Sequence, residues 1–326
     1  MRFRNALIAA GLVLACGYAA GYRADLPLAE VVARHATPAS HWVQVQGNRL
    51  HFTDRGTGPV VLMVHGSGAE QGAWNGIGAA LVAQGFRAVA LDLPGSGLSE
   101  AGPETGFTNP DLVALVSDFI TAEGFGPVIL MGHSTGGQIG WTLALDHPAQ
   151  VARLVLVAPT GLPADSPLIW KLAGVPVLGA ALRDITPDFV VADNLHQAFH
   201  DDAKVTPALV ARYRDMILRE GARAALFQRM QAVTFARREE LPCLTQPALI
   251  LWGAEDGWLP PALGEGFAAA IPGSRLHLIP AVGHDLPEEA EPALVAGLIT
   301  GWLRAEPILH PAAGAPSGCP APAPTL

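Results

Sequence analysis

A chain of 326 residues, 50% hydrophobic and 15% charged, can bury a large core and fits one globular domain with an insertion, or two small domains. The formal net charge of −9 comes without any basic run, so a nucleic-acid partner has no electrostatic footprint. Cys16, Cys243 and Cys319 lack metal-ligand spacing and form no evident disulfide framework, which argues against zinc or redox chemistry.

The N-terminus differs in kind from the rest. Arg2 and Arg4 precede an uncharged run over residues 6–22, short for a spanning helix and long for the apolar core of a signal peptide. The reading is a membrane anchor or signal segment over residues 1–23, with the chain beyond Arg23 outside the membrane, on the periplasmic side of a bacterium. Leu12-Val13-Leu14-Ala15-Cys16 also resembles a lipobox, which would make Cys16 a lipidated terminus. Residues 24–40, with Pro27 and Pro38 around a short helical pattern at 28–35, read as a linker leaving the membrane.

Beyond residue 40 two alternating runs flank Gln46-Gly47-Asn48, the pattern of an antiparallel hairpin. A continuous apolar strand at 60–64 ends in His65-Gly66-Ser67-Gly68. Helix 74–84, strand 86–91, helix 109–123, strand 128–131 and strand 151–158 follow, the alternation of a mostly parallel α/β sheet. The alternation stops between 160 and 241, where only helical patterns occur, at 187–199, 207–219 and 222–238. It resumes with strand 248–252, helix 260–270, strand 275–279 and helix 287–304. The organisation expected is therefore a core of residues 41–160 and 241–304 interrupted by a helical lid at 161–240. A proline- and alanine-rich tail at 305–326 reads as disordered.

The stretch with the clearest chemistry is Gly132-His133-Ser134-Thr135-Gly136-Gly137, which stops strand 128–131 and opens a helix. Gly132 and Gly136 let strand and helix approach and let Ser134 take a strained corner, the G-x-S-x-G nucleophile elbow. A serine hydroxyl needs a base, and His284, just after the last strand, is the candidate ahead of His65, His133 and His147. His65 and His133 sit in motifs where the neighbouring amides count for more than the side chains, and His147 ends a helix. The acid that fixes the imidazole is Asp256, at the end of strand 248–252, in preference to Asp165, with the adjacent Glu255 a surface carboxylate. The order Ser134, Asp256, His284 is that of elbow-type hydrolases. The backbone N–H groups of Ser67 and Thr135 are the expected oxyanion donors, the Ser67 hydroxyl being incidental.

Together, His65 to Gly68, Asp92-Leu93-Pro94-Gly95-Ser96-Gly97-Leu98-Ser99, the elbow, the 252–260 stretch and Gly283-His284 resemble the α/β-hydrolase fold superfamily, in particular its lidded serine hydrolases such as bacterial esterases, lactonases and C–C hydrolases. The resemblance covers about residues 40–304 and implies an eight-stranded sheet with a lid after the sixth strand. Asp92, Pro94, Gly95 and Gly97 take a structural role in a turn near the site. Relatives resembling haloalkane dehalogenases and epoxide hydrolases carry an aspartate where this chain has Ser134, which argues against both. The activity expected is cleavage of a small apolar carboxylic ester through an acyl-enzyme, with no cofactor and no metal. The alternatives are a C–C hydrolase, a lactonase, a haloperoxidase-like enzyme with the same triad, and a non-catalytic ligand receptor.

Trp170, Phe189, Phe199, Met216, Phe227, Met230 and Phe235 are the lid side chains from which an apolar pocket would draw two or three. His196 and His200, four apart on one predicted helix, have a spacing that can hold zinc but lack the intervening glutamate of the zincin pattern. They read as exposed lid histidines. The sequence leaves the oligomeric state open.

Overall fold

In the computed structural model, which describes residues 21–164, 185–232, 234–305 and 319, strands β1 (Ser40–Val45), β2 (Asn48–Arg55), β3 (Val60–Val64), β4 (Arg87–Leu91), β5 (Val128–His133), β6 (Val151–Val157), β7 (Ala248–Gly253) and β8 (Arg275–Ile279) form one sheet. Its order is β1-β2-β4-β3-β5-β6-β7-β8. Strands β3 to β8 are parallel, and the β1–β2 hairpin adds antiparallel through β2 and β4. The hairpin turns at Gln46 and Gly47, both at positive φ, as the right-handed twist of paired strands requires.

Side chains along each central strand alternate between two cores, which is why these strands read as unbroken apolar runs. Val61, Met63, Ala88 and Ala90 face helices α2 (Asn75–Ala83) and α10 (Pro292–Ala305) through Ile77, Leu81, Val295 and Ile299. Leu62, Val64, Val89 and Leu91 share the other core with Leu112, Val116 and Phe119 of α3 (Asn109–Ala122), Ile139 and Leu143 of α4 (Thr135–Asp146), and Phe267 of α8 (Ala262–Ala270). Helix α3 opens on a capping box, in which Thr108 and Asp111 each satisfy the other's backbone N–H.

Between β6 and β7 the described insertion contains α5 (Asp188–Ala198), α6 (Pro207–Leu218) and α7 (Ala222–Gln231). Helix α7 is shorter than the 222–238 pattern, and Arg238–Cys243 is a 3-10 turn containing Pro242. The 287–304 pattern is likewise two helices, α9 (Leu286–Glu289) and α10, split before Pro292.

Two sequence expectations need correction. Residues 24–40 are not a bare linker: α1 (Leu28–His35) buries Val31 against Leu98 and Met216, and Arg34 and His35 both bond Asp215 of α6 at 3.1 Å. Its apolar stripe had a partner that local sequence could not name. Cys243 and Cys319 form a disulfide across a sequence separation of 76 residues, a pairing that spacing cannot reveal. Of the anchor or signal expectation at 1–23, residues 1–20 lie outside the described residues, and of the disordered-tail expectation at 305–326 all but Ala305, the last residue of α10, and Cys319 do so. Among the described residues no helix is long and apolar enough to cross a membrane.

Candidate active site

The order β4-β3-β5-β6 reverses the direction of winding between β3 and β5, so the crevice at their carboxyl ends is free for a ligand. Ser134 stands there, between β5 and α4, with φ 52° and ψ −116°. A non-glycine residue holds this conformation only when its surroundings force it. Here its N–H donates to Val157 O at 2.9 Å and its carbonyl accepts from Thr160 N at 3.0 Å, so the exit of β6 pins the corner. A Cβ on Gly132 would meet Gly136 O at 2.2 Å, and one on Gly136 would meet Val64 O at 2.2 Å, so the turn admits glycine alone at both flanks.

The loops after β7 and β8 bring Asp256 and His284 together. His284 Nδ1 donates to Asp256 Oδ2 at 2.8 Å, both side chains being almost wholly buried. The other carboxylate oxygen, Oδ1, accepts from the N–H groups of Trp258 at 2.9 Å and Leu259 at 2.8 Å, which fixes the carboxylate plane. Glu255 is exposed and accepts from Val282 N at 3.2 Å, so it braces the histidine loop from outside. Asp165 lies outside the described residues. Ser134 and His284 border the same cavity, without a hydrogen bond between them among the described residues.

The turn after β3 faces the elbow closely: a Cβ on Gly66 would stand 3.0 Å from Ser134 Cβ. Neither Ser67 N nor Thr135 N is used in a backbone–backbone bond among the described residues, and Thr135 opens α4, where the helix dipole favours negative charge. Ser67 Oγ and Thr135 Oγ1 lie 2.9 Å apart in a hydrogen bond, so this hydroxyl ties together the two segments that carry the expected donors.

The cavity in front of Ser134 has a volume of about 370 Å³, within the range of small-molecule sites. Core loops form its floor and the insertion its walls, through residues such as Val190, Ile217 and Leu226. Of the lid side chains singled out in the sequence, Phe227, Met230 and Phe235 border it. Phe199 is buried in a small cluster behind the cavity lining, with Val191, Leu195 and Tyr213, Met216 packs with Val31 and Leu98, Phe189 is 72% exposed, and Trp170 lies outside the described residues. Helix α5 ends at Ala198, so His196 and His200 do not share a helical face, and His196 bonds Asp202 at 2.6 Å. Among the described residues no group of three or more histidine, cysteine or acidic side chains could hold a metal ion.

A model of the alpha/beta hydrolase fold matches residues 59–291. The chain belongs to the alpha/beta hydrolase family. Over 282 residues this hydrolase is 30% identical to an uncharacterised protein of Mycobacterium tuberculosis, covering 82% of each chain. It is 27% identical over 275 residues to haloalkane dehalogenase 2 of the same organism, covering 80% of this chain and 93% of that one. A thermophilic esterase from Thermogutta terrifontis, solved with malate bound, superposes with a TM-score of 0.70 at 27% identity, over 82% of this chain and 98% of the other.

Several residues of the hydrolase site went unrecognised in the sequence because their roles depend on pairings far apart in the chain. His133 is more than a spacer before the nucleophile: its Nε2 donates to His284 O at 2.9 Å, and the two rings lie 4.9 Å apart. Burial, with the neighbouring His284, holds His133 well below its ordinary pKa, so it stays neutral and supplies one donor. His65 accepts from Leu93 N through Nε2 at 3.1 Å and donates from Nδ1 to Gly66 O at 2.7 Å, tying the turn after β3 to the Asp92 loop. Burial lowers it from 6.5 to about 4. Asp92 is buried and accepts from His51, Gln71 N and Leu98 N, and these bonds outweigh its desolvation and keep it ionised, in the structural role expected of it.

Glu289 is the insertion's fastening. One carboxylate oxygen accepts from Gly283 N at 2.6 Å, and the other from His200 N at 2.9 Å and Asp201 N at 2.7 Å. His284 N also donates to Ala198 O at 2.7 Å. Behind the imidazole, Glu70, Asp285 and Glu288 gather around Arg212 and Tyr213 of α6. Burial raises all three carboxyls, Glu288 to about 8, because one guanidinium cannot balance three buried negative charges.

Proposed function

We propose that the protein is a serine hydrolase that cleaves a small, apolar carboxylic ester or related carbonyl compound through an acyl-enzyme. The observation that carries this reading is the buried His284–Asp256 bond at the mouth of a cavity that also exposes the strained Ser134. Ser134 attacks the carbonyl carbon while His284 takes its proton, and the Ser67 and Thr135 amides hold the developing oxyanion. His284 then returns the proton to the leaving alcohol, and water, activated by the same imidazole, releases the acid. The helical insertion acts as the lid that selects the substrate, and the esterase among its relatives fits the ester class. On a short p-nitrophenyl ester, Ser134→Ala is expected to lower kcat by about 10⁴-fold or more. Full retention of rate would overturn the assignment. A panel of esters, lactones and vinylogous diketones separates ester hydrolysis from lactone and C–C cleavage, and labelling by a fluorophosphonate separates all of these from a ligand receptor.

We further propose that the enzyme works outside the cytoplasm, held or exported through residues 1–23. The charged-then-apolar N-terminus and the Cys243–Cys319 disulfide, a bond favoured in oxidising compartments, support this. Fractionation of cells expressing the chain with and without residues 1–22 tests it: a fully cytoplasmic full-length protein would refute the reading.

A further inference from the structure

Residues 21–26, immediately after the N-terminal apolar run, are fastened to two separate parts of the insertion. Gly21 O accepts from Thr186 N at 3.2 Å, and Tyr22 pairs with Ile185 in an antiparallel bridge. Further along, Leu26 N donates to Leu218 O at 2.7 Å and Leu26 O accepts from Glu220 N at 2.9 Å. Between these ties lies Arg223, 6% exposed, whose Nη2 bonds Asp25 Oδ1 at 2.5 Å and Arg23 O at 2.8 Å. Nε also reaches Asp25, at 3.2 Å, and Nη1 lies 3.5 Å from Thr186 Oγ1. Ile185, Thr186 and Arg223 all line the cavity in front of Ser134.

We propose that residues 21–26 form a specificity-determining strap of the substrate site, which sets the size of the apolar group admitted by holding Ile185, Thr186 and Arg223 in the cavity wall. A buried guanidinium keeps one position only while its counter-ion and acceptors stay in place, and Asp25 and Arg23 O, all of these but Thr186 Oγ1, come from the strap. The strap also gives Thr186 N and Glu220 N their acceptors, Gly21 O and Leu26 O, so once its hold on Arg223 is lost the wall is free to move outward. The converse also follows. A Cβ on Gly21 would lie 2.6 Å from Ile185 Cγ2, so a side chain there drives Ile185 toward the space it lines.

This inference rests on the serine-hydrolase reading for its activity readout. The test measures kcat/KM on p-nitrophenyl esters from acetate to laurate for the full chain, Asp25→Ala, Asp25→Asn and Gly21→Val. The two Asp25 variants are expected to raise the laurate-to-butyrate ratio by about tenfold, the scale on which a pocket discriminates a few methylenes, and Gly21→Val is expected to lower it. A ratio scales out the fraction of folded enzyme, so general destabilisation does not imitate either shift. Ratios unmoved in all variants, or moved in the same direction by Asp25→Ala and Gly21→Val, would overturn the strap. Calorimetric binding of laurate and butyrate to the same variants in a Ser134→Ala background provides the independent arm. If no ester is turned over but fatty-acid preference follows the strap, the hydrolase reading fails and the strap stands. If esters are turned over and neither preference responds, the strap fails alone.

Discussion

His284 is held on every side by a different part of the chain: Asp256 at Nδ1, Ala198 at its backbone N–H, His133 at its carbonyl, and the Trp258 ring stacked 5.2 Å from its own. Such fixation leaves one tautomer, with Nε2 free toward the cavity. Asp256→Asn is therefore expected to lower kcat by about 10⁴-fold with the melting temperature little changed, because the wrong tautomer is then favoured. Asp165→Asn, the alternative acid, is expected to leave kcat near the parent value in the same assay. The buried neutral histidines carry a pH signature of stability. His65 has its pKa lowered from 6.5 to about 4, and His133 is lowered well below 6.5, so the unfolded chain binds protons that the folded one refuses. The contribution of His65 is present above pH 6.5 and falls away between 6.5 and about 4, and that of His133 is likewise lost as pH falls below 6.5. Urea titrations across that window are expected to show stability dropping with acid, and His133→Asn to flatten part of the slope.

At the scale of elements, the insertion and the histidine loop behave as one unit because Glu289 serves backbone donors from both. Glu289→Ala orphans three N–H groups and is expected to cost on the order of 3 kcal/mol in urea denaturation, with kcat reduced as His284 loses its frame. Helix α6 meets the core through Arg212 and Tyr213 against Glu70, Asp285 and Glu288. Glu288, raised from 4.5 to about 8, binds its proton more tightly when folded, so its stabilising contribution is fully present below pH 4.5 and is lost as pH rises through about 8. The loss builds up between pH 4.5 and about 8 and is complete near 8, and Glu288→Gln should diminish the fall in stability on going from neutral pH to about 8. An unchanged fall over that window in Glu288→Gln would remove the cluster from the explanation.

Across the whole molecule, one sheet sets the layout: the turns after β3, β5, β7 and β8 carry Ser67, Ser134, Asp256 and His284 to the same end of the sheet. The chain ends reinforce it from outside, α1 and residues 21–26 against the insertion and Cys319 against Cys243 at its exit. A disulfide closing a loop of this length typically contributes about 2–4 kcal/mol. Cys243→Ser is expected to lower thermal stability accordingly, and reductant should lower the melting point of the parent but not of the variant.

The sequence by itself determined the strand-and-helix alternation, the elbow around Ser134 and the approximate positions of Asp256 and His284. These depend on local signals: apolar runs bounded by turns, and glycines where only a hydrogen fits. Two helical patterns were longer than the helices that form: α7 stops at Gln231 within 222–238, and Pro292 splits 287–304. Only the tertiary structure decided that His133 and Glu289 frame the base, that α1 and the residues before it brace the insertion, and that Cys243 meets Cys319. Each of these joins segments far apart in the chain, through side chains that meet backbone groups or one another. Their residue types suit many partners, and only the folded sheet, by bringing its strand ends and chain ends together, selects one.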